Sequence, residues 1–480
     1  MKTQSELSAN PVWQTIDKES LLPLDAKTRD VAVGLYSLVS DLPIISPHGH
    51  VDPKLLLENK PFESAAELFI YFNHYITRLL HADGVSLAEV LKPAGLSGAE
   101  LEAHGRNAWQ QFANRWHHYA GTASGYWFVR ELRSVFGIED EISAANAQDL
   151  YDQIQAELKT ERMLPRQLFR DFNIEVLATT DSPTDDLAAH QGLAKLDLGG
   201  RVAPTFRPDA FINPLAPGWA ERVQEVVAMT SDPLSQSGFV QSLAKRREFF
   251  KENQGFSVDI GAESAYTTIL DDAAAQQLFE LGLKGALSAE QALQYRGHMI
   301  SEMIRMSCDD GLVITLHVGV HRLHSTETFQ KFGPDTGHDI PIQAEFVKNL
   351  HPVLERYGLN KNLQLILFSL DETTWSREVA PLAGFYPTVF VGAPWWFYDA
   401  PDATKRFRHA VTDTVGFYRG SGFIDDTRAF LSIPTRHDMA RRIDSAFLAE
   451  LVSQRRISLA TAERVAVDLV TTVPKRAFKL

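Results

Sequence analysis

The chain predicts an α/β fold of (β/α)8 barrel type, and three observations carry that expectation. Eight short apolar runs of strand length recur along the 480 residues. Helical text separates most of them, long enough for right-handed crossovers. Most of the runs are apolar on consecutive positions, as strands covered on both faces are. The length alone would allow about three ordinary domains, but barrels of this kind run longer as one. The expectation is a single barrel domain over 1–480, with a helical insertion at 54–170 following the first strand.

Taken in order, residues 1–40 read as helical, with VAVGLYSLV leading into a first strand at Leu42–Ser46. From Asp52 to about Arg170 the apolar residues fall at three- and four-residue spacing, as in SAAELFIYFNHYITRLLHADG and SGYWFVRELRSVFG. Gly84, Gly95, Gly121 and Gly137 punctuate these helices. No strand interrupts them, which makes the segment too long for an ordinary crossover. The remaining seven strands are expected at Ile174–Thr179, Arg201–Phe206, Ser257–Ile260, Leu312–His317, Leu363–Phe368, Thr388–Val391 and Gly422–Asp425.

Composition narrows the class. The chain is 44% hydrophobic and 22% charged, that of a globular protein with ample core. Its net charge is −14, and no Lys/Arg cluster is dense enough for a nucleic-acid face. Short basic runs, Lys245-Arg246-Arg247 and Arg441-Arg442, read as solvated helix faces. An anionic substrate would need local arginines against this global field. The lone Cys308 excludes an intrachain disulfide and a cysteine-based zinc site, and favours a reducing compartment. The N-terminal stretch has no signal-peptide core, and no run of 18 apolar residues occurs. The expectation is a cytoplasmic protein with no membrane and no nucleic-acid partner.

The polar residues that end the strands give the fold a site, because barrel chemistry sits at the C-terminal strand ends. The first run passes through Pro47 to His48-Gly49-His50, two imidazoles two residues apart and so on one side of an extended chain. The spacing alone is one that chance supplies. The fifth run ends in His317 and the last in Asp425-Asp426-Thr427-Arg428. Together His48, His50, His317 and Asp426 would converge on one mouth, with the donor set that zinc and similar ions favour. Arg207 ends the third run. His321 and Arg322 either contact substrate or are solvated; Trp395-Trp396 wall a pocket or pack the core. Gly333–Asp339 is a lid or a turn. On pattern alone His74-Tyr75 is a helix-packing pair, and His437 belongs to a helix after the last strand. Glycine motifs of dinucleotide and phosphate-loop type are absent.

With PHGHVDP, NHYITR, GYWFVRELRSVFGI, TTDSPTDDL, FRPDAF, LHVGVHR, FGPDTGHD, GAPWWFYD and DDTRAFLSIPTRHDMARR in order, the chain resembles the uronate (glucuronate) isomerase family of the amidohydrolase superfamily. The resemblance runs over nearly the whole length. It implies a metal-assisted aldose–ketose isomerase that interconverts D-glucuronate with D-fructuronate, and D-galacturonate with D-tagaturonate. The implied metal ligands are His48, His50 and Asp426, with His317 beside them as a ligand of either metal or substrate. The implied catalytic residues are Asp426, Arg428 and Tyr75. Arg207 matches a substrate-pocket arginine suited to the uronate carboxylate; His74, His317, Arg322, Trp395 and Trp396 complete the substrate-binding set. Two-metal hydrolases of the superfamily use a strand-four lysine and a strand-six histidine. SVDIGAE and QLILFSL have neither, so one divalent ion, zinc by ligand type, is expected. A one-metal hydrolase on the same scaffold is the main alternative, and a catalytically dead sugar-acid sensor a distant one. The arginines favour the sugar acid. Barrels of this size often associate, so a homo-oligomer is allowed.

Overall fold

The computed structural model of the chain describes residues 19–480. Its strands are β1 (Ile44–Ser46), β2 (Ile174–Ala178), β3 (Arg201–Ala203), β4 (Thr205–Phe206), β5 (Ser257–Ala262), β6 (Val313–Val318), β7 (Val320–His321), β8 (Ile340–Pro341), β9 (Leu365–Ser369) and β10 (Val389–Val391). Two parallel sheets, β1-β2-β3 and β10-β9-β6-β5-β4, wrap the barrel, while β7 and β8 form a small antiparallel pair. Every residue of β6, β9 and β10 is buried, which is why these runs read as unbroken apolar text.

The third predicted strand is divided at Pro204, which has no N–H for the ladder. Its first half pairs with β2 and its second with β5, so one bent stave joins the two sheets. Thr179, Asp181 and Arg207 carry the hydrogen bonding past the bend, their N–H groups donating to Ala203, Thr205 and Asp181 at 2.9–3.0 Å.

The strand expected at Gly422–Asp425 is not a regular one. Its stave is extended chain that makes a single bridge, Val391 to Gly420. The Val391 N–H donates to Arg419 O at 2.9 Å, and the Ser421 N–H donates to Val391 O at 2.8 Å. The reason is local. Gly422 sits at φ 75°, and the Ser421 hydroxyl meets Gly422 O and the Ala393 N–H, replacing ladder bonds with side-chain ones. On its other side the same stave meets the end of β1, where the His50 N–H donates to Thr427 O at 2.9 Å. That contact closes the ring and places Asp426 beside the two histidines.

Between β1 and β2 the chain forms only helices and turns, from Pro53–Glu58 to Pro165–Asp171. Their core is aromatic: Phe69, Trp109, Phe112 and Phe128 pack with ring centroids 4.8–6.3 Å apart. Burying each such ring contributes about 2–3 kcal/mol. The cluster is continuous with Ile44, Ile174 and Leu177 of β1 and β2, so the helical segment rests on the first two staves.

Of the expected N-terminal helix, residues 1–18 lie outside the described residues and Ala26–Ser37 is helical. His437 does fall in the helix after the last stave, Ile433–Ser453. In the basic runs Lys245 is exposed as expected, but Arg247, Arg441 and Arg442 are not. Arg247 is fully buried and grips Asp310 through Nε and Nη2 at 2.6 and 3.0 Å. Arg442 is equally buried against Asp438, at 2.8 Å. Arg441 donates to the carbonyls of Ser40, Leu42 and Pro43, fixing the approach to β1. A helix period shows which face a residue occupies; the partner on another element that makes burying its charge tolerable is invisible to it. Among the described residues no helix is long and apolar enough to cross a membrane.

Candidate active site

A cavity of about 870 Å³ opens at the C-terminal ends of the strands, with the helical segment as its far wall. His48 and His50 enter it directly after β1, edge to face with centroids 5.2 Å apart. The Thr180 hydroxyl donates to Gly49 O at 2.8 Å and pins the turn between them. Asp426 comes from the eighth stave with φ 43°, a left-handed backbone that a short polar side chain tolerates and that marks strained functional positions. Its Oδ1 stands 3.1 Å from His48 Nε2 and 2.9 Å from His50 Nε2.

Those three donors converge without satisfying one another. Asp426 Oδ1 is buried and makes no well-aligned hydrogen bond, and His48 Nδ1 is likewise unpaired. Two imidazole nitrogens and one carboxylate oxygen, all within 4.8 Å of each other, are the chemistry of a divalent cation site. Burial raises the Asp426 carboxyl, but the two imidazoles outweigh it and hold the group well below the usual carboxylate range. For His50 burial wins, and its imidazole is pushed down toward the neutral form a ligand needs.

His317, on β6, stacks against both His48 and Phe368, with ring centroids 4.6 and 4.2 Å away. Its Nδ1 lies 2.9 Å from Asp259 Oδ1, and its Nε2 is buried without a partner. His48, Asp259 and His317 thus form a second group with metal-ligand spacing that shares His48 with the first. Asp259, in the strand-four run where no lysine stands, is a site residue that the sequence reading missed. Its inward position follows from the register, two residues before Gly261, which lies opposite His317.

Arg207 ends β4 and reaches into the cavity. Nε is 2.9 Å from Asp209 and Nη1 is 3.1 Å from Asp259, so two of its three nitrogens are already engaged. Burial raises the Asp259 carboxyl; Arg207, His48 and His317 outweigh it and hold it well below its ordinary value. Gly261 leaves room for this fork, since a Cβ there would lie 3.2 Å from Arg207 Nη2. Arg207 is therefore rigidly presented, with Nη2 left over.

The helical segment supplies the opposite wall. Asn73 caps the helix His74–Ala82 by accepting from the Tyr75 N–H, which holds His74 and Tyr75 at the rim in its first turn. Tyr75 packs edge-on against Trp127 and beside His74, so the pair read as mere helix packing faces the cavity. Burial holds the Tyr75 phenol above its usual range and pushes the His74 imidazole down to about 4. Thr122 caps the next helix at the wall, Ala123–Phe136, where Ser124, Trp127, Phe128 and Glu131 form one lining stripe at helical spacing. Glu131 is a second lining residue that sequence reasoning missed; a carboxylate on an apolar stripe was the available signal.

At the mouth, Arg428 is half exposed and pairs with Asp335 at 3.0 Å. Asp335 belongs to the loop 333–339, which is tethered to the barrel rim rather than free: Asp339 meets Arg322 at 3.2 Å, and Gly337 packs against Arg78. Arg322 lies over Trp396 at 5.1 Å and lines the cavity, whereas His321 is solvated and faces Glu263. Trp395 and Trp396 are both buried and both line the cavity, each with an unpaired indole N–H, so packing and pocket roles coincide. Arg436, also missed, is buried on the wall, bound to Asp399 and lying over Trp127 at 3.8 Å. All the expected site residues thus share one cavity: His48, His50, His74, Tyr75, Arg207, His317, Arg322, Trp395, Trp396, Asp426 and Arg428.

Known proteins resemble this chain over nearly its whole length. A family model described as glucuronate isomerase matches residues 21–476. A uronate isomerase of Corynebacterium efficiens is 45% identical over 465 residues, 96% of this chain and 98% of that protein. Among solved structures, glucuronate isomerase from Caulobacter crescentus superposes with a TM-score of 0.93 at 42% identity, covering 98% of both chains. Uronate isomerase from Thermotoga maritima gives 0.90 at 27% identity, over 96% of this chain and 99% of that one.

Proposed function

The chain belongs to the glucuronate isomerase family, and from that premise we propose how its cavity performs the reaction. The enzyme is an aldose–ketose isomerase of hexuronates, interconverting D-glucuronate with D-fructuronate and D-galacturonate with D-tagaturonate. The observation that carries the mechanism is the meeting of His48, His50 and Asp426 with arginines in one enclosed cavity. Our reading places one divalent ion on those three residues, zinc by donor type. When bound, such an ion acidifies the proton next to a carbonyl and offsets developing oxyanion charge.

The chain's own groups do the rest. The reaction removes the proton from C2 and delivers one to C1, while the hydroxyl proton passes from O2 to O1. Asp426 makes both of its close histidine contacts through Oδ1, and in this reading Oδ2 takes the C2 proton and returns it to C1. Tyr75, whose phenol stays protonated, exchanges the oxygen proton. Arg428 offsets negative charge at the mouth. Arg207, held by Asp209 and Asp259, turns Nη2 to the uronate carboxylate. His74, His317, Arg322, Trp395 and Trp396 shape the sugar site. The proposal includes one barrel domain with 54–170 inserted and a cytoplasmic enzyme.

A one-metal hydrolase is the second reading, favoured by nothing beyond the ligand trio. Incubation of the metal-loaded protein with D-glucuronate in deuterium oxide separates the two. We expect loss of the C2 proton signal and appearance of the ketose; uronate left unchanged with no exchange at C2 would overturn the assignment.

A further inference from the structure

Glu131 stands in the cavity without a role in the chemistry above. It projects from the helix Ala123–Phe136, in line with Ser124, Trp127 and Phe128, and is only 6% exposed. Of the other carboxylates on the cavity wall, Asp259 pairs with Arg207, Asp335 with Arg428, and those farther out with Lys60, Lys92 or the Lys54 N–H, while Asp426 lies among the metal-ligand group. Among the described residues, no hydrogen bond or ion pair reaches the Glu131 carboxyl. A largely buried acid without a protein partner calls for an explanation, and a ligand in the cavity it lines would supply one. Burial pushes this carboxyl up to about 8 against the lowering pull of Arg436, so at neutral pH it is an O–H donor that a uronate anion does not repel.

We propose that Glu131 is a specificity-determining residue whose carboxyl hydrogen-bonds a hydroxyl of the sugar chain beyond the two reacting carbons. The inference rests on the uronate-isomerase reading of the cavity. It assigns the helical segment a contact with the substrate that neither the metal ligands nor the arginines provide, on the wall opposite His317 and Asp259. A site built to hydrogen-bond a hydroxyl discriminates by leaving its own buried group unpaired when that hydroxyl is missing or inverted.

The test uses the full-length, metal-loaded enzyme and its Glu131→Ala and Glu131→Gln variants. Calorimetry reads the Kd of D-glucuronate and of D-galacturonate, and a coupled assay reads kcat and KM. Glu131→Ala should weaken binding on the order of tenfold, raising KM more than it lowers kcat. Glu131→Gln, which keeps a donor and the volume, should restore most of the loss. Among deoxy-uronates lacking O3, O4 or O5 in turn, one analogue should bind wild type and Glu131→Ala equally. Equal Kd and KM across wild type and both variants would overturn the inference, as would a loss identical for every analogue. Folded, turning-over variants with unchanged affinity would sink this inference alone. Intact uronate binding sensitive to Glu131→Ala, but with no turnover by wild type, would sink the isomerase reading alone.

Discussion

Replacing Asp426 by Asn separates the chemistry from the fold more cleanly than any other change at this site. The amide has nearly the same shape, so the change removes one charge and one proton acceptor. Asp426 Oδ1 lies 2.9 and 3.1 Å from two imidazole nitrogens but makes no aligned hydrogen bond, so little packing is lost. The unfolding midpoint of the metal-free protein should stay within about 5 °C of wild type. Losing a positioned general base costs roughly 10²–10⁴-fold, or about 3–5 kcal/mol in the barrier. The anionic ligand is lost as well, so the assay should be run with the bound ion measured directly. Proton NMR in deuterium oxide then reads exchange at C2 of D-glucuronate. With metal bound, we expect exchange slowed by at least a hundredfold. Exchange within tenfold of wild type would refute the role of Asp426 as base.

Four further outcomes follow from the geometry. Tyr75→Phe removes a hydroxyl without removing the ring packing against Trp127, so kcat should fall about a hundredfold while thermal stability holds; equal turnover would remove Tyr75 from the oxygen-proton step. Arg207→Met leaves Asp209 and Asp259 without their shared cation, and urea unfolding should show a loss of about 3–5 kcal/mol, with weaker uronate binding alongside. Chelation should abolish turnover and lower the melting temperature, because an ion at a thousand times its Kd stabilises the native state by about 4 kcal/mol; re-added zinc should reverse both. Glu131 has a carboxyl raised from its usual 4.5 to about 8, so the folded state holds its proton more tightly than the unfolded state. Its stabilising contribution is full below pH 4.5 and is lost as pH rises toward 8, by up to about 1.4 kcal/mol per pH unit. Melting curves of ligand-free wild type and Glu131→Gln should therefore diverge between pH 5 and 8 in that direction, and parallel curves would contradict the shift.

The amino-acid order by itself determined much of this protein. Staves buried on both faces are written as unbroken apolar runs, so β6, β9 and β10 were visible within two residues. Strand alternation placed His48 and His50 on one side, and the barrel rule placed them with His317 and Asp426 at one end. Tertiary structure decided what depends on partners distant in the chain. Gly420–Asp425 became a stave by bridging β10 and β1, since Ser421 and Gly422 satisfy its backbone locally instead of through a ladder. Arg247, Arg441 and Arg442 became interior residues because carboxylates and carbonyls on other elements meet them. Asp259, Glu131 and Arg436 sit in ordinary strand or helix text, and only the assembled barrel and helical segment bring them to one cavity: Asp259 from β5, Glu131 from the helix Ala123–Phe136 and Arg436 from the helix after the last stave. Periodicity assigns a residue to a face. Which face meets the substrate is a property of the assembled molecule.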